Sequence, residues 1–319
     1  MNESADYSSQ DLSASGHELR IPDDFAGLRL DQALARLFPA HSRSRLQNWL
    51  KAGLVTVDGG QRDSKHRVCG GESLRVHEPP LPKETADQPE DIPLQVIYED
   101  DELLVIDKPV GLVVHPGSGN WSGTLLNALL HHAPALSAVP RAGIVHRLDK
   151  DTSGLMVTAK TIEAQTELVR QMQARSVRRH YMAIVHGDVG GAGVVEEPIG
   201  RHPLQRTRMA VVRSGRPALT RYLVHERFGC ASLVECRLET GRTHQIRVHM
   251  ASIGHPLVGD GTYGLKRCGD LRLDRFPRQA LHAFRLALKH PRTQSEMSWE
   301  SALPPDMVAL LAALRGEDH

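Results

Sequence analysis

Aromatic side chains are scarce in this chain of 319 residues: five phenylalanines, five tyrosines and three tryptophans, 4% of the whole. Any stacking function must therefore fall to a few identifiable rings. The four cysteines (Cys69, Cys230, Cys236, Cys268) show no CxxC spacing, which excludes a disulfide framework and a cysteine-based zinc site. They read as small, partly buried thiols. Eighteen histidines include no HExxH or HxxxH pair, and His131–His132 reads as the end of an apolar helix, so no metal site is expected. No stretch approaches the roughly 18 apolar residues that span a membrane. The polar opening, MNESADYSSQDLSASGH, lacks the apolar core of a secretory signal. We expect a disordered tail over residues 1–19, a cytoplasmic location and no membrane partner.

A surplus of charge is also missing. Thirty-nine Lys and Arg stand against 38 Asp and Glu, a net charge of +1, where a nucleic-acid binder usually shows a basic excess. The distribution tells more. Residues 29–76 hold nine basic residues (Arg29, Arg36, Arg43, Arg45, Lys51, Arg62, Lys65, Arg67, Arg75) against Asp31, Asp58, Asp63 and Glu72. Residues 168–181 hold four arginines and no acid, while residues 83–102 carry eight acids against Lys83 and cancel most of the excess. Local patches, not the total, set the field that a phosphate backbone meets.

What is present organises into two parts. Leu30, Ala33, Leu34 and Leu37 fall on one helical face. A second helix fits SRSRLQNWLKAG, with Ser42 as N-cap, Leu46, Trp49 and Leu50 turned inward, and Gly53 as terminator. LVTV, the turn Asp58-Gly59 and SLRVHE then read as short strands. Two helices followed by strands, with arginines on and between the helices, resemble the alpha-L (S4-like) RNA-binding fold, which we place at residues 20–78. Residues 79–93, PPLPKETADQPEDIP, read as an acidic linker. From residue 94 to 319 strands outnumber helices: LQVIYED, ELLVIDKP, GIVHRLD, GLMVTAK, RHYMAIVHG, ALTRYLVHE, ASLVECRLE and LHAFRLALKHP. Helices fit TLLNALLHH, TIEAQTELVRQMQ, the region of HQIRVHMAS and MVALLAALR. Without regular β-α-β alternation, this predicts an α+β domain with a mixed, mainly antiparallel sheet flanked by helices.

Three segments carry candidate chemistry. In IVHRLDKDTSGLMVTAK, read as strand, polar turn and strand, Asp149 sits at the turn among Arg147, Lys150 and Asp151. An Asp in a polar turn is more often a local cap. In LETGRTHQIRVHM, Thr243 is a candidate cap for a helix starting at His244, and a helix N-terminus beside Arg242 suits a phosphate. Arg247 follows on the face of His244, and a partly buried arginine there calls for a carboxylate, with Asp149 the attractive partner. A surface helical arginine is the commoner case. In RRHYMAIVHG, Tyr181 opens a strand after Arg178 and Arg179, a placing that suits base stacking, although a strand tyrosine half in the core is commoner. Gly117–Gly123 matches neither GxGxxG nor GxxxxGK[ST], so it reads as a flexible loop near a cleft and no nucleotide cofactor is expected.

Together these segments, in this order behind an alpha-L module, resemble the RluA/RluD family of pseudouridine synthases. HRLDKDTSGLMVTAK, the R-x-Y ahead of a strand and TGRTHQIRVHMASIGHPLVGD carry the likeness. DKPVGLVVHPG, GTLLNAL, HPLQRTRMAV and PRQALHAFRLALKHP support it, so that it spans about residues 20–305. The resemblance implies that Asp149 is the catalytic aspartate, Arg247 its basic partner and Tyr181 the tyrosine that packs on the flipped base and is a candidate general base. It implies uridine-to-pseudouridine isomerisation in structured RNA, most of all large-subunit (23S) ribosomal RNA. The isomerisation needs no redox step and no energy source, in keeping with the expectation of no cofactor. Arg43, Arg45, Lys51, Arg147, Arg178, Arg179, Arg242 and His244 are the candidate RNA-binding residues, and the enzyme is expected to be a monomer. Two other readings stand beside this one. A catalytically inactive RNA-binding or ribosome-assembly factor would be expected to have lost Asp149, Tyr181 or Arg247. A hydrolase using Asp149 and Asp151 would release free uracil.

Overall fold

The computed structural model describes residues 16–78, 86–117 and 120–316, which fall into two units that meet in sequence at Thr85 and Ala86. The first contains, in chain order, β1 (Gly16–Arg20), α1 (Leu30–Leu37), α2 (Arg43–Lys51), β2 (Val55–Val57), β3 (Gly60–Gln61) and β4 (Ser73–His77). Leu30, Ala33 and Leu34 of α1 pack with Leu46, Trp49 and Leu50 of α2 onto Val55, Val57, Leu74 and Val76 of the sheet. Full burial of each large side chain contributes roughly 1.5–3 kcal/mol, so this small core is enough to hold the two helices. Ser42 caps α2 by accepting from the Arg45 N–H, and Gly53 (φ +72°) ends it. Asp58 and Gly59, both at positive φ, form the two-residue turn between β2 and β3. The sheet order is β1-β4-β2-β3, all antiparallel.

Two sequence-based boundaries move. Residues 16–19, expected in the tail, belong to β1: Gly16 pairs with His77 and Leu19 with Leu74. β4 has a second edge to satisfy, and main-chain pairing does not require an apolar sequence. The remainder of the tail, residues 1–15, lies outside the described residues, as do residues 79–85 of the expected linker. Residues 86–93 are not linker but part of the second unit. Ala86 is buried, the Asn127 amide donates to the Ala86 and Gln88 carbonyls, and the Glu90 carboxylate accepts from the Gly123 N–H. Composition cannot reveal such docking, because the partners, Gly123 and Asn127, lie 33 to 41 residues further on.

The second unit runs β5 (Gln95–Glu99), β6 (Leu103–Lys108), α3 (Leu125–His132), β7 (Ser153–Ala159), α4 (Ile162–Gln173), β8 (Arg178–His186), β9 (Ala192–Glu196), β10 (Ile199–Arg201) and β11 (Met209–Val211). It continues with β12 (Leu219–Arg227), β13 (Ala231–Leu238), α5 (Gln245–Ser252), α6 (Leu271–Asp274), β14 (Leu281–Lys289), β15 (Glu296–Glu300) and α7 (Pro305–Arg315). A mixed sheet has the order β5-β6-β7-β14-β8-β13-β12-β9, and β10 and β11 form a separate hairpin. Among the described strands of this sheet only β7 and β14 pair in parallel, over two residues, after which β15 takes up the freed edge of β14. This is the mainly antiparallel α+β architecture. Leu104, Ile106 and Met156 pack with α3, whereas Leu103, Val105, Leu155 and Val157 pack with α4. Burial on both faces explains why β6 and β7 read as continuous apolar runs. Among the described residues no helix is long and apolar enough to cross a membrane.

One expected strand is absent. GIVHRLD keeps a single bridge, Ile144 to Thr158, and residues 145–152 leave the ladder. The imidazole of His146 accepts the Val157 N–H through Nε2 at 3.0 Å, taking the place of a strand carbonyl. The stretch 117–123 falls partly outside the described residues; Gly117 and Asn120 close on each other at its near end. Gly154, at φ +114°, sits where β7 lies between β6 and β14, and a Cβ there would meet the Ala283 carbonyl oxygen at 2.3 Å. Gly154→Ala should lower unfolding free energy by at least about 2 kcal/mol, measured by urea denaturation. Gly27→Ala, which meets nothing within 4 Å despite its positive φ, should cost less.

Candidate active site

The loop from Val145 to Thr152 is fixed from below by side chains that reach its backbone. Lys108, fully buried at the end of β6, donates to the carbonyls of Pro109, Leu112 and Lys150 at 2.7, 3.0 and 3.0 Å. Burial pulls this ammonium down to about 8, offset in part by the nearby Asp151 and Asp149 carboxylates. Arg278, anchored on Asp306, donates to the Asp151 carbonyl; Gln279 donates to Thr152 Oγ1; Ser153 meets His282 at 2.9 Å. The Thr152 N–H closes a turn on the Asp149 carbonyl at 3.0 Å. Asp149 thus stands on a tight turn held at both ends, its side chain 16% exposed.

Facing it is α5. The residue at its N-cap is His244, in the left-handed conformation (φ +56°), so the expected cap by Thr243 is not formed. Gln245 secures this end instead. Its carbonyl oxygen accepts from Thr240 and from the Arg242 N–H, and its amide donates to the Leu219 carbonyl and Thr220. One turn along, Arg247 reaches Asp149 Oδ2 through Nη1 at 3.0 Å. The expected pair is therefore formed, but it is the lesser part of the contact. The Nε and Nη2 edge of the same guanidinium makes a bidentate bond to the fully buried Asp260, at 2.6 and 2.9 Å. Asp260 Oδ1 also accepts from the N–H groups of Thr262 and Tyr263. Although burial alone would push the Asp260 carboxyl up, Arg247 and these amides hold it below its usual range. Arg247 is raised above its usual value in turn, burial being outweighed first by Asp260 and then by Asp149.

His244 approaches Asp149 with Nε2 at 3.9 Å, beyond hydrogen-bond reach, and meets the Tyr263 hydroxyl with Nδ1 at 2.8 Å. That hydroxyl accepts from the Met209 N–H of the β10–β11 hairpin, and the Tyr263 ring lies 5.1 Å from the Arg247 guanidinium. Burial lowers His244 below its usual value. Tyr181, in the middle of β8 and not at its start, is 5% exposed; burial raises its phenol.

Asp149, Tyr181 and Arg247 line one cleft of about 710 Å³. Arg147, Arg179, Arg242 and His244 line it too, together with Arg141, Arg175 and Arg216 that sequence reasoning did not select. Seven arginines against Asp149 and Glu239 make this cleft basic in a chain that is nearly neutral overall. Arg178 is different: strand alternation sends it to the exposed face of β8, 3.9 Å from Glu296 and outside the lining. Arg43, Arg45 and Lys51 lie on α2 of the first unit, where Arg43 is tied to buried Asp31 at 2.8 Å and Arg45 lies 5.3 Å from the Trp49 ring centroid. Sequence reading missed Asp260, Tyr263, Gln245 and Lys108. A signal existed for the first, since a buried guanidinium has five donors and one carboxylate cannot satisfy them. Nothing in the sequence says which acid supplies the rest.

The two-part fold agrees with comparisons to known proteins. A protein-family profile described as RNA pseudouridylate synthase matches residues 102–252, and one for the S4 domain matches residues 28–74. The chain is 59% identical to ribosomal large subunit pseudouridine synthase D of Nitrosomonas europaea, covering 95% of this chain and 89% of that protein. With the protein of the same name from Pseudomonas aeruginosa it shares 53% identity over 92% of this chain and 94% of the relative. Among solved structures, human RNA pseudouridylate synthase domain containing 4 superimposes with a TM-score of 0.56 at 28% identity, covering 69% of this chain and 93% of that one. Human RNA pseudouridylate synthase domain containing 1 gives a TM-score of 0.51 at 27% identity, over 75% and 97%. On sequence and on fold, this chain belongs to the RNA pseudouridylate synthase family.

Proposed function

We propose that the chain isomerises uridine to pseudouridine in large-subunit ribosomal RNA, with Asp149 as the essential carboxylate, as a cytoplasmic monomer. The observation that carries this reading is the Asp149–Arg247 contact in a cleft lined by seven arginines. The names of the bacterial relatives point to the ribosomal large subunit as substrate. In the reaction the bond from ribose C1′ to uracil N1 breaks, the base turns, and C1′ joins C5, which loses its proton while N1 gains one. Asp149 is placed to meet the reacting nucleotide, and Arg247, held by Asp260, aims it. The base must leave its stack to reach that carboxylate, costing a few kcal/mol that phosphate contacts along the basic rim offset. Tyr181 has its phenol raised by burial, so we assign it the packing surface for the base instead of a proton acceptor.

The test is tritium release from carbon-5-tritiated uridine in ribosomal RNA that lacks the modification. Wild type should release tritium and Asp149→Asn should not, with RNA affinity retained; turnover by Asp149→Asn would remove the carboxylate from the mechanism. Asp260→Ala leaves a buried guanidinium half-paired. It should lower stability by roughly 3 kcal/mol or more and depress turnover, while Asp260→Asn, which keeps part of the hydrogen bonding, should do less of both. Unfolding curves and single-turnover rates measure the two effects. For the first unit, Arg45→Glu with Lys51→Glu should weaken RNA binding and flatten its dependence on salt. An unchanged slope in a filter-binding titration would show that α2 is not a contact for the phosphate backbone.

A further inference from the structure

The roles given to Asp149, Tyr181 and Arg247 leave one buried cation without a task. Arg179 stands two residues before Tyr181 on the inward face of β8, is 8% exposed, and lines the cleft. Among the described residues its guanidinium makes no hydrogen bond and no ion pair, and its Nε is shut off from solvent without a partner. The guanidinium presses against Gly241, where a Cβ would come within 2.6 Å of Nη1. An arginine keeps its charge when buried, and a buried charge without a counter-charge is destabilising. Every other buried arginine of this unit has an acidic partner: Arg247 has Asp260 and Asp149, and Arg278 has Asp306.

His146 stands on the same wall. Because Nε2 accepts the Val157 N–H, the ring proton resides on Nδ1, and Nδ1 is likewise buried without a partner. Two residues that line the cleft therefore each carry a hydrogen-bond donor without a partner. That pattern suits electron-rich oxygen.

We propose that Arg179, helped by His146, receives the uracil oxygen on which negative charge collects during the reaction, and is a further catalytic residue. This rests on the isomerisation proposed above. When the C1′–N1 bond breaks, its electron pair stays with the base and spreads from N1 to O2 and O4. If a carboxylate instead adds to the ring at C6, the C5=C6 pair moves on to O4 before the C1′–N1 bond breaks, and the C6–O bond breaks again when C5 gives up its proton. Either route builds an oxyanion on uracil, and C5 returns the charge when it bonds to C1′ and later loses its proton, with N1 regaining one. A donor kept dry and unpaired in the free enzyme is preorganised for that moment. A phosphate oxygen has the same chemistry, but the cleft offers exposed Arg141, Arg147 and Arg216 for it, whereas Arg179 lies in the wall beside Tyr181.

The experiment compares wild type, Arg179→Met, Arg179→Gln and Gly241→Ala in thermal midpoint, RNA affinity across a salt series, and single-turnover tritium release at saturating enzyme. The Arg179 variants should keep or raise the midpoint of the free enzyme, since an uncompensated charge is gone. They should bind RNA with unchanged salt slope and lose rate by about 100-fold or more. Gly241→Ala, which keeps the charge but displaces it, should also be slow. Weaker binding with a slope reduced by about one, at full saturating rate, would assign Arg179 to a phosphate and overturn the proposal. A lowered midpoint with full rate where the variant is folded would make Arg179 structural. Absence of release by wild type as well would count against the isomerisation itself, a result distinct from a variant that matches an active wild type.

Discussion

Arg247 lies between two carboxylates, and the order of those two contacts governs how the cleft is built. The bidentate bond to fully buried Asp260 fixes the plane of the guanidinium, leaving Nη1 as the edge that reaches Asp149. A single contact to a carboxylate on a loop would leave the arginine free to swing with the loop. With Asp260 pinned by the Thr262 and Tyr263 amides, the arginine becomes part of the wall, and Asp149 is aimed by something that does not move with it. Each of the three charges is compensated by its neighbour, which is the condition under which a buried ion pair is tolerated at all.

The loop that carries Asp149 is held by a comparable device on its other side. A loop between strands is normally positioned by the ladder, yet this one leaves the ladder after Ile144. Buried Lys108 gathers three carbonyls, Arg278 reaches the Asp151 carbonyl, and His146 takes the Val157 N–H. The backbone groups released by the missing strand are thus satisfied by side chains from β6, from the segment before β14 and from the loop itself. This arrangement lets a polar loop sit in a buried place and still present one carboxylate.

Charge follows the same division between whole and part. The chain is nearly neutral, but the cleft is basic, and the first unit ties part of its own basic excess to Asp31. A sum over the sequence conceals both facts. Only the arginines with no acid beside them are free to meet RNA, and proximity in space, not in sequence, decides which those are.

Local pattern and long motifs made much of this protein legible. Periodicity placed α1 and α2, alternation placed most strands of the sheet, and three quoted segments pointed to Asp149, Tyr181 and Arg247, because a helix face, a strand face and a motif are each written in contiguous residues. What the tertiary structure alone decided is whatever depends on residues far apart in the chain. It put residues 16–19 in a strand by pairing them with β4, docked residues 86–93 on Asn127, and removed GIVHRLD from the ladder through His146. It also supplied Asp260 to Arg247, sent Arg178 outward and Arg179 inward, and gathered arginines from four separate segments around one carboxylate. Pairing, burial and compensation of charge are properties of neighbours, and neighbours across a fold are chosen by packing.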